Sequence, residues 1–178
     1  DKAKDDVYAY DENFKQTHLW RMSIGDSAAT RITEGNYSVN DYALSRAGDR
    51  IILKRSISPL LNDSFKSELW IADKNGKGAV QLTSNKINEG SIELSPDGKN
   101  VLFVADANAN QEGFYNSKLF MVSASGGQPA LVSKDFPFAV DAAKWSGDGK
   151  SIYLLCKLLG FFGVQRLAAC AAPLGVNG

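Results

Sequence analysis

The chain has 178 residues, and its 20 Lys and Arg residues balance its 20 Asp and Glu residues, so the formal net charge is zero. With 44% hydrophobic and 22% charged residues, the composition is typical of a one-domain globular protein and excludes a disordered chain. No basic cluster occurs, so we predict no nucleic-acid partner. No charged-then-apolar leader follows Asp1, so the sequence leaves a cytoplasmic and an exported location both open.

Metal and cofactor sites are not predicted. Cys156 and Cys170 are too few for a disulfide framework, and neither has the neighbouring histidine or cysteine that a zinc site requires. Residues 106–117 begin like a calcium loop, with oxygen-bearing side chains at alternate positions. However, Gln111 and Ser117 stand where such a loop needs glycine and glutamate. We interpret this segment as a solvated loop.

Strands are predicted along most of the chain, because short runs of Val, Ile, Leu and aromatic residues alternate with Gly, Asn, Asp and Ser. In chain order, the predicted strands lie at residues 7–10, 17–23 and 30–33, followed by four within 39–83, four within 91–133 and two within 142–156. Helical periodicity is nearly absent before residue 155. The sequence therefore predicts an all-β fold.

Two motifs repeat with one common period. LSRAGDRIIL, LSPDGKNVLF and WSGDGKSIYL begin at residues 44, 94 and 145, at intervals of 50 and 51 residues. A second motif, containing Leu-Trp or Leu-Phe, begins at His18, Glu68 and Lys118, at intervals of 50 residues. Four short strands in each period of about 50 residues are typical of one blade of a β-propeller.

The first motif contains an acidic residue beside glycine, which could belong to a catalytic site, a metal site or a hairpin turn. Its sequences at this point are Ala-Gly-Asp, Pro-Asp-Gly and Gly-Asp-Gly, so the acid changes place while glycine persists. Glycine supplies the positive φ that tight hairpins need. We therefore interpret Asp97 and Gly98 as a hairpin corner.

We predict a partial β-propeller of four-stranded antiparallel blades within residues 1–156, holding about three blades' worth of sheet. Strands two to four of the first blade fall at about 7–33. Blades two and three fall at about 39–83 and 91–133, and half a blade falls at about 142–156. Because an open propeller leaves unpaired strand edges, we expect a part of a larger ring or a homo-oligomer that completes one.

These repeats resemble the TolB-type propeller repeats, which also form the amino-terminal propellers of prolyl oligopeptidase and dipeptidyl peptidase family serine peptidases. The resemblance covers residues 7–156. The long loops SISPLLNDSFKS and DANANQEGFYNS favour the peptidase propellers. The resemblance implies a non-catalytic cap that gates substrates for an α/β-hydrolase domain, or alternatively a protein-docking module like TolB. It implies a peptide or protein ligand.

Catalysis by this chain is not predicted. An α/β-hydrolase needs serine in a G-x-S-x-G elbow, followed in the chain by an acid and a histidine. The nearest match, at residues 25–29, lacks the final glycine and falls in a predicted outer turn. The only histidine, His18, precedes Ser27, so the chain order of a hydrolase triad is not met.

Four charged residues are candidates for the lining of the propeller channel. Glu93 and Lys144 take equivalent places on inner strands, with Ala43 at the same place in the blade before, and the two could form an ion pair. Glu89 and Asp141 lie near one end of these strands. A propeller enzyme of the glycosidase or lyase type, using such axial carboxylates, is the alternative from another class of function.

The last predicted segment, residues 157–178, does not follow the repeat. It has no acidic residue, and Gln165 and Arg166 divide it into apolar halves too short for the ~20 residues of a membrane span. Three interpretations remain: a disordered or adventitious end, a cover for an exposed blade, or a membrane or partner contact. None of them includes a propeller strand at this place.

Overall fold

A computed structural model describes residues 15–158 and 166–173. In this part of the chain one helical turn, α1 (Leu61–Ser64), accompanies four antiparallel sheets. The first sheet holds β1 (Trp20–Met22) and β2 (Ala29–Arg31). The second holds β3 (Ser38–Leu44), β4 (Arg50–Ser56), β5 (Glu68–Asp73) and β6 (Val80–Gln81). The third holds β7 (Glu89–Leu94), β8 (Asn100–Ala107), β9 (Gly113–Ser123) and β10 (Ala130–Leu131). The fourth holds β11 (Val140–Trp145), β12 (Ser151–Leu158) and β13 (Arg166–Pro173).

Each sheet is a meander in which consecutive strands pair as neighbours. The prediction of an all-β partial propeller built from four-stranded antiparallel blades is confirmed, and we call the four sheets the first to fourth blades. β1 lies within the predicted residues 17–23, and β2 overlaps the predicted residues 30–33. The strand predicted at residues 7–10 lies outside the described residues.

The prediction that residues 157–178 contain no propeller strand is wrong. β13 pairs antiparallel with β12, from Ser151 opposite Pro173 to Leu158 opposite Arg166. The outer edge of β12 offers backbone N–H and C=O groups that need partners, and Leu, Ala and Cys residues can supply them in an extended segment. Backbone pairing therefore places a third strand in the fourth blade without the sequence motif of the other blades.

The glycine corners between first and second strands have the predicted geometry. Positive φ values of 69°, 71° and 71° occur at Gly48, Gly98 and Gly149. The Asp97 carboxylate accepts the Ser95 hydroxyl at 2.5 Å and the Lys99 N–H at 3.0 Å. These hydrogen bonds hold the pKa of Asp97 below its usual value, and the bond from Ser95 has the largest effect. The carboxylate therefore stabilises the turn.

The hydrophobic core lies between successive blades. In β8, Val101 and Phe103 pack toward the second blade, whereas Leu102 and Val104 pack toward the fourth. Phe103 stacks on Phe120 with ring centroids 5.4 Å apart. Because central strands alternate between two covered faces, apolar residues occupy consecutive positions. This explains the uninterrupted Ile-Ile-Leu and Val-Leu-Phe runs of the repeat.

A buried hydroxyl joins the outer strands of each of the first three blades. The backbone N–H groups of Leu19, Leu69 and Leu119 donate to the side-chain oxygens of Thr33, Thr83 and Ser133 at 2.9, 2.8 and 2.9 Å. These hydroxyls fall just after the short outer strands, where the backbone ladder has ended. Each one satisfies a buried donor that would otherwise cost about 1–3 kcal/mol.

Gly76 makes a close contact between the first two blades, and we predict that Gly76→Ala destabilises the protein strongly. A Cβ at this position would lie 2.1 Å from the Ile32 carbonyl oxygen, at a φ of +75°. Gly78 is the matched control, since its φ is +64° and nothing lies within 4 Å. Urea unfolding should show a loss of about 3 kcal/mol for Gly76→Ala and about 1 kcal/mol for Gly78→Ala. Equal losses would contradict a tight contact.

Candidate functional site

The inner strands β3, β7 and β11 lie side by side, with β7 in contact with both of the others. In a propeller such strands surround the axis. Ala43, Glu93 and Lys144 take equivalent register positions on them, as the repeat predicted. The four charged candidate residues belong to β7 and β11.

Each inner strand contains a β-bulge at the equivalent place. The register shifts lie between Val39 and Asp41, between Gly90 and Glu93, and between Val140 and Ala142. A bulge adds one residue to a strand and turns neighbouring side chains away from the regular alternation. In β7 the extra segment includes Ser91, whose φ is 48°. Side chains near the bulge can therefore reach across to the next blade.

Glu93 and Ser91 bind the inner edge of the fourth blade. The Glu93 carboxylate accepts the Trp145 N–H at 2.6 Å, and the Ser91 hydroxyl accepts the Ala143 N–H at 2.9 Å. The other Glu93 oxygen lies 3.8 Å from the Lys144 ammonium, whose side chain is 69% exposed. An ion pair as exposed as this contributes at most about 1 kcal/mol. Glu93 therefore acts mainly as a hydrogen-bond acceptor for the unpaired edge of β11.

Glu89 has a different environment from Glu93, because its side chain is fully buried. Its carboxyl oxygens lie 2.9 Å from the Thr83 hydroxyl and 2.8 Å from the Asn85 amide nitrogen. Burial raises the pKa of Glu89 to about 8, because the hydrogen bonds and Lys54 only partly offset the lost hydration. A carboxyl group of this kind keeps its proton near neutral pH.

Asp141 lies at the bulge of β11 and is exposed. The expectation that Glu89 and Asp141 both line the channel is therefore not met by Glu89, whose carboxyl is enclosed by the connection between β6 and β7. Sequence reasoning placed both residues correctly near one end of the inner strands. It missed the enclosure, because Asn85 is brought over Glu89 only by the path of the connection.

Ser27 and His18 lie in different local structures. Ser27 is exposed in the turn between β1 and β2, where its N–H donates to the Ser23 carbonyl at 3.1 Å. The His18 ring nitrogen Nδ1 lies 3.1 Å from the Thr33 hydroxyl, and its ring makes an edge contact with Tyr37. The structure therefore gives each residue a local partner of its own.

The loop that begins like a calcium site is closed by its own hydrogen bonds. Asn108 Oδ1 accepts the N–H groups of Asn110 and Glu112, both at 3.0 Å. Asp106 accepts the Ser117 hydroxyl at 2.5 Å. Within residues 15–158 and 166–173, no group of three or more His, Cys, Asp and Glu side chains is arranged to hold a metal ion.

Two residues that the repeat aligns were not recognised as a contact site. Glu68 accepts the N–H groups of Asn85 and Lys86 at 3.1 and 2.8 Å, and Lys118 donates to the Phe136 carbonyl at 2.7 Å. Both side chains hold the connection to the next blade, one as acceptor and one as donor. A signal was available in the sequence, because both are charged residues at one repeat position, each preceded by serine and followed by leucine.

No protein-family model matches the chain. It is 28% identical over 121 residues to a protein of Bacillus subtilis (strain 168) named Uncharacterized peptidase YuxL. That match covers 68% of this chain and 18% of the peptidase, so the chain corresponds to less than a fifth of that protein. Among the described residues, no helix is both long and apolar enough to span a membrane.

Solved structures share the fold. TolB from Acinetobacter baumannii superposes with a TM-score of 0.62 at 15% identity, over 89% of this chain and 36% of that one. A putative TolB from Agrobacterium tumefaciens gives a TM-score of 0.64 at 19% identity, over 85% and 50%. A chain from a nidogen/laminin complex gives 0.57 at 16% identity, over 84% and 56%. The chain therefore spans about half or less of each TolB structure.

The fold is that of a TolB-like β-propeller. The sequence is in addition similar to part of a peptidase, which agrees with the resemblance of the repeats to peptidase propellers.

We predict that Glu89 makes the stability of the protein fall as the pH rises from about 4.5 to about 8. In this range the unfolded carboxyl, with its ordinary pKa of 4.5, loses its proton while the folded one keeps it. Below 4.5 both states are protonated, and above 8 the loss is complete. Urea unfolding should show that the free energy of unfolding falls by a few kcal/mol over this pH range and that Glu89→Gln removes this fall. The control Glu34→Gln, at an exposed position, should retain the decline.

Proposed function

We propose that the chain is a non-catalytic binding or substrate-gating propeller of the kind that accompanies the hydrolase domain of prolyl-oligopeptidase-like serine peptidases. The observation that carries this proposal is the similarity to YuxL, a peptidase by name, in a chain with the TolB-like fold. Since the match spans only 18% of YuxL, the similarity concerns one part of a larger protein.

The contacts of the carboxylates support a non-catalytic role. Glu93 is held by a backbone N–H of the next blade, and Glu89 is enclosed with its proton. A glycosidase or lyase of the axial type would need two carboxylates directed at one open space. A propeller whose inner acids join its blades instead provides a rigid frame for the loops at its two ends.

Protein docking without a peptidase is the second candidate function. It is favoured by the two TolB structures, which superpose on at least 85% of this chain, and by the chain from the nidogen/laminin complex. Under this alternative the propeller binds a protein partner and is not joined to a hydrolase. Both candidate functions require a binding surface on the propeller. They differ in whether the propeller is joined to a hydrolase domain.

The proposed function predicts that the purified chain releases no p-nitroaniline from peptide p-nitroanilides and no phenol from aryl glycosides. The Glu93 carboxylate accepts a backbone N–H of the next blade, and Ser27 lies in the turn between β1 and β2. The Glu93→Gln and Ser27→Ala variants serve as controls for traces of a contaminating enzyme. Hydrolysis that copurifies with the chain and disappears in either variant would contradict the proposal and support an enzyme.

We also propose that two copies of this chain associate through their open blade faces. Tyr153 and Leu155 are 51% and 40% exposed on β12, whereas the equivalent Leu102 and Val104 of β8 are 0% and 7% exposed beneath the fourth blade. At the other end, the first blade exposes 57% of Trp20. Apolar faces of this kind are covered in a closed ring.

Size-exclusion chromatography with light scattering tests this association, and we expect the mass of a dimer. Tyr153→Ser combined with Leu155→Ser should shift the mass to a monomer, because it removes apolar area from the outer face of β12. Leu61→Ser, at an exposed leucine of α1 outside both open faces, is the control. A stable, well-folded monomer of the unaltered chain would overturn the two-copy arrangement.

A further inference from the structure

A groove of about 650 Å³ lies at the end of the second and third blades. It is formed by the connection from β4 to β5, the connection from β6 to β7 and the connection from β8 to β9. Because neighbouring strands run antiparallel, these three connections leave the sheets at the same end, opposite the glycine corners. The groove is therefore separate from the inner surface that holds Glu93 and Lys144.

Phe114, at the rim of this groove, is strained and fully exposed. Its φ is +70°, in the left-handed region that aromatic residues rarely adopt, and its side chain is 106% exposed. Such a conformation costs free energy in a folded protein. No packing within the described chain offsets the cost. Strained residues of this kind occur at ligand-binding sites, where a bound partner can bury the aromatic ring.

A large bulge produces the exposure. β8 advances two residues from Ala105 to Ala107, while β9 advances five from Gly113 to Lys118. Residues 114–117 are therefore excluded from the backbone ladder and carry Phe114 and Tyr115 outward. Bulges of this kind redirect side chains beside binding sites.

The walls of the groove are apolar. Phe65 and Tyr115 are 51% and 54% exposed and face it from opposite connections, and the buried Ile87 lies in its lining. Together with Phe114 they form an apolar surface across two blades. Exposed apolar surface of this concentration marks interaction sites in soluble folds.

The charge of the groove is positive. Lys66 and Lys86 lie in its lining and are exposed, and within the described residues neither ammonium has a hydrogen bond or an ion pair. Lys86 has a φ of +57°, and Glu68 holds its N–H at 2.8 Å, so its backbone is fixed. The one carboxylate of the lining, Asp106, accepts the Ser117 hydroxyl. Two ammonium groups are therefore available to an acidic ligand.

We propose that this groove binds an extended peptide segment in which one aromatic or branched aliphatic side chain is flanked by carboxylates. The apolar side chain packs among Phe65, Phe114 and Tyr115, and the carboxylates pair with Lys66 and Lys86. The proposal deepens the binding role proposed above and rests on it. The groove volume fits one or two side chains, and its concave form suits a peptide better than a flat membrane surface.

Fluorescence anisotropy tests the proposal with the labelled pentapeptide Asp-Glu-Trp-Asp-Glu, titrated with the whole chain. We expect binding that is at least about 10-fold weaker for Asp-Glu-Ser-Asp-Glu and for Lys-Lys-Trp-Lys-Lys. Lys66→Ala combined with Lys86→Ala should weaken binding about 10-fold and reduce its dependence on salt. Lys150→Ala, which removes an exposed lysine far from the groove, should leave binding unchanged.

Phe114→Gly separates binding from folding. Glycine adopts a φ of +70° without strain, so the urea midpoint should stay the same or rise, while affinity for the tryptophan peptide falls about 10-fold. Tyr42→Ala, at an exposed tyrosine outside the groove, should retain full affinity. Unchanged affinity in Phe114→Gly, or equal binding of the serine or lysine peptide, would overturn the proposal.

Two other occupants give different results. Sedimentation with phosphatidylglycerol vesicles that is lost in Phe114→Gly, without peptide binding, would replace the peptide by a lipid surface. A dimer that becomes monomeric in Phe114→Gly would replace it by a second copy, and both results overturn the proposal. If the chain neither binds the peptide nor hydrolyses a substrate, the peptide-binding groove is wrong and the proposed non-catalytic function is unaffected. If the chain hydrolyses a substrate, the proposed function is wrong, and the peptide titration still decides whether the groove binds peptide.

Discussion

The structure depends on the packing of each sheet against the next. The second strands of the middle blades bury apolar side chains on both faces, so Phe103 and Leu102 belong to two different clusters although they are adjacent in the chain. Neither face could be buried within one blade, because a single four-stranded sheet has no second layer. The hydrogen bonds that Ser91 and Glu93 accept from the next blade depend on this face-to-face packing.

Polar side chains satisfy the backbone groups at the edges of the blades. The inner and outer edges of each blade carry backbone donors that no strand pairs, and burial makes each unpaired donor expensive. Thr83, Ser91 and Glu93 accept such donors from a strand of their own blade or of the next one. Charged residues in the middle of a propeller are thus explained by hydrogen bonding between blades before any catalytic role is considered.

The two ends of the propeller have different characters. One end carries the glycine corners, in which Asp97 and its relatives stabilise short turns. The other carries the long connections, and there the chain holds Phe114 and Lys86 in left-handed conformations beside an apolar, positively charged groove. The strained, exposed side chains at this end agree with the binding role proposed above.

The sequence by itself determined the strands β1 to β12, the period of about 50 residues and the hairpin corners, because these depend on local alternation and on the positive φ of glycine at positions such as Gly98. It also placed Glu93 and Lys144 at equivalent positions. Only the tertiary structure decided that Glu89 is enclosed by Asn85, that β13 pairs with β12, and that Phe114 stands over a groove. Burial, edge pairing and the excluded bulge all depend on segments that approach one another only after the sheets have packed.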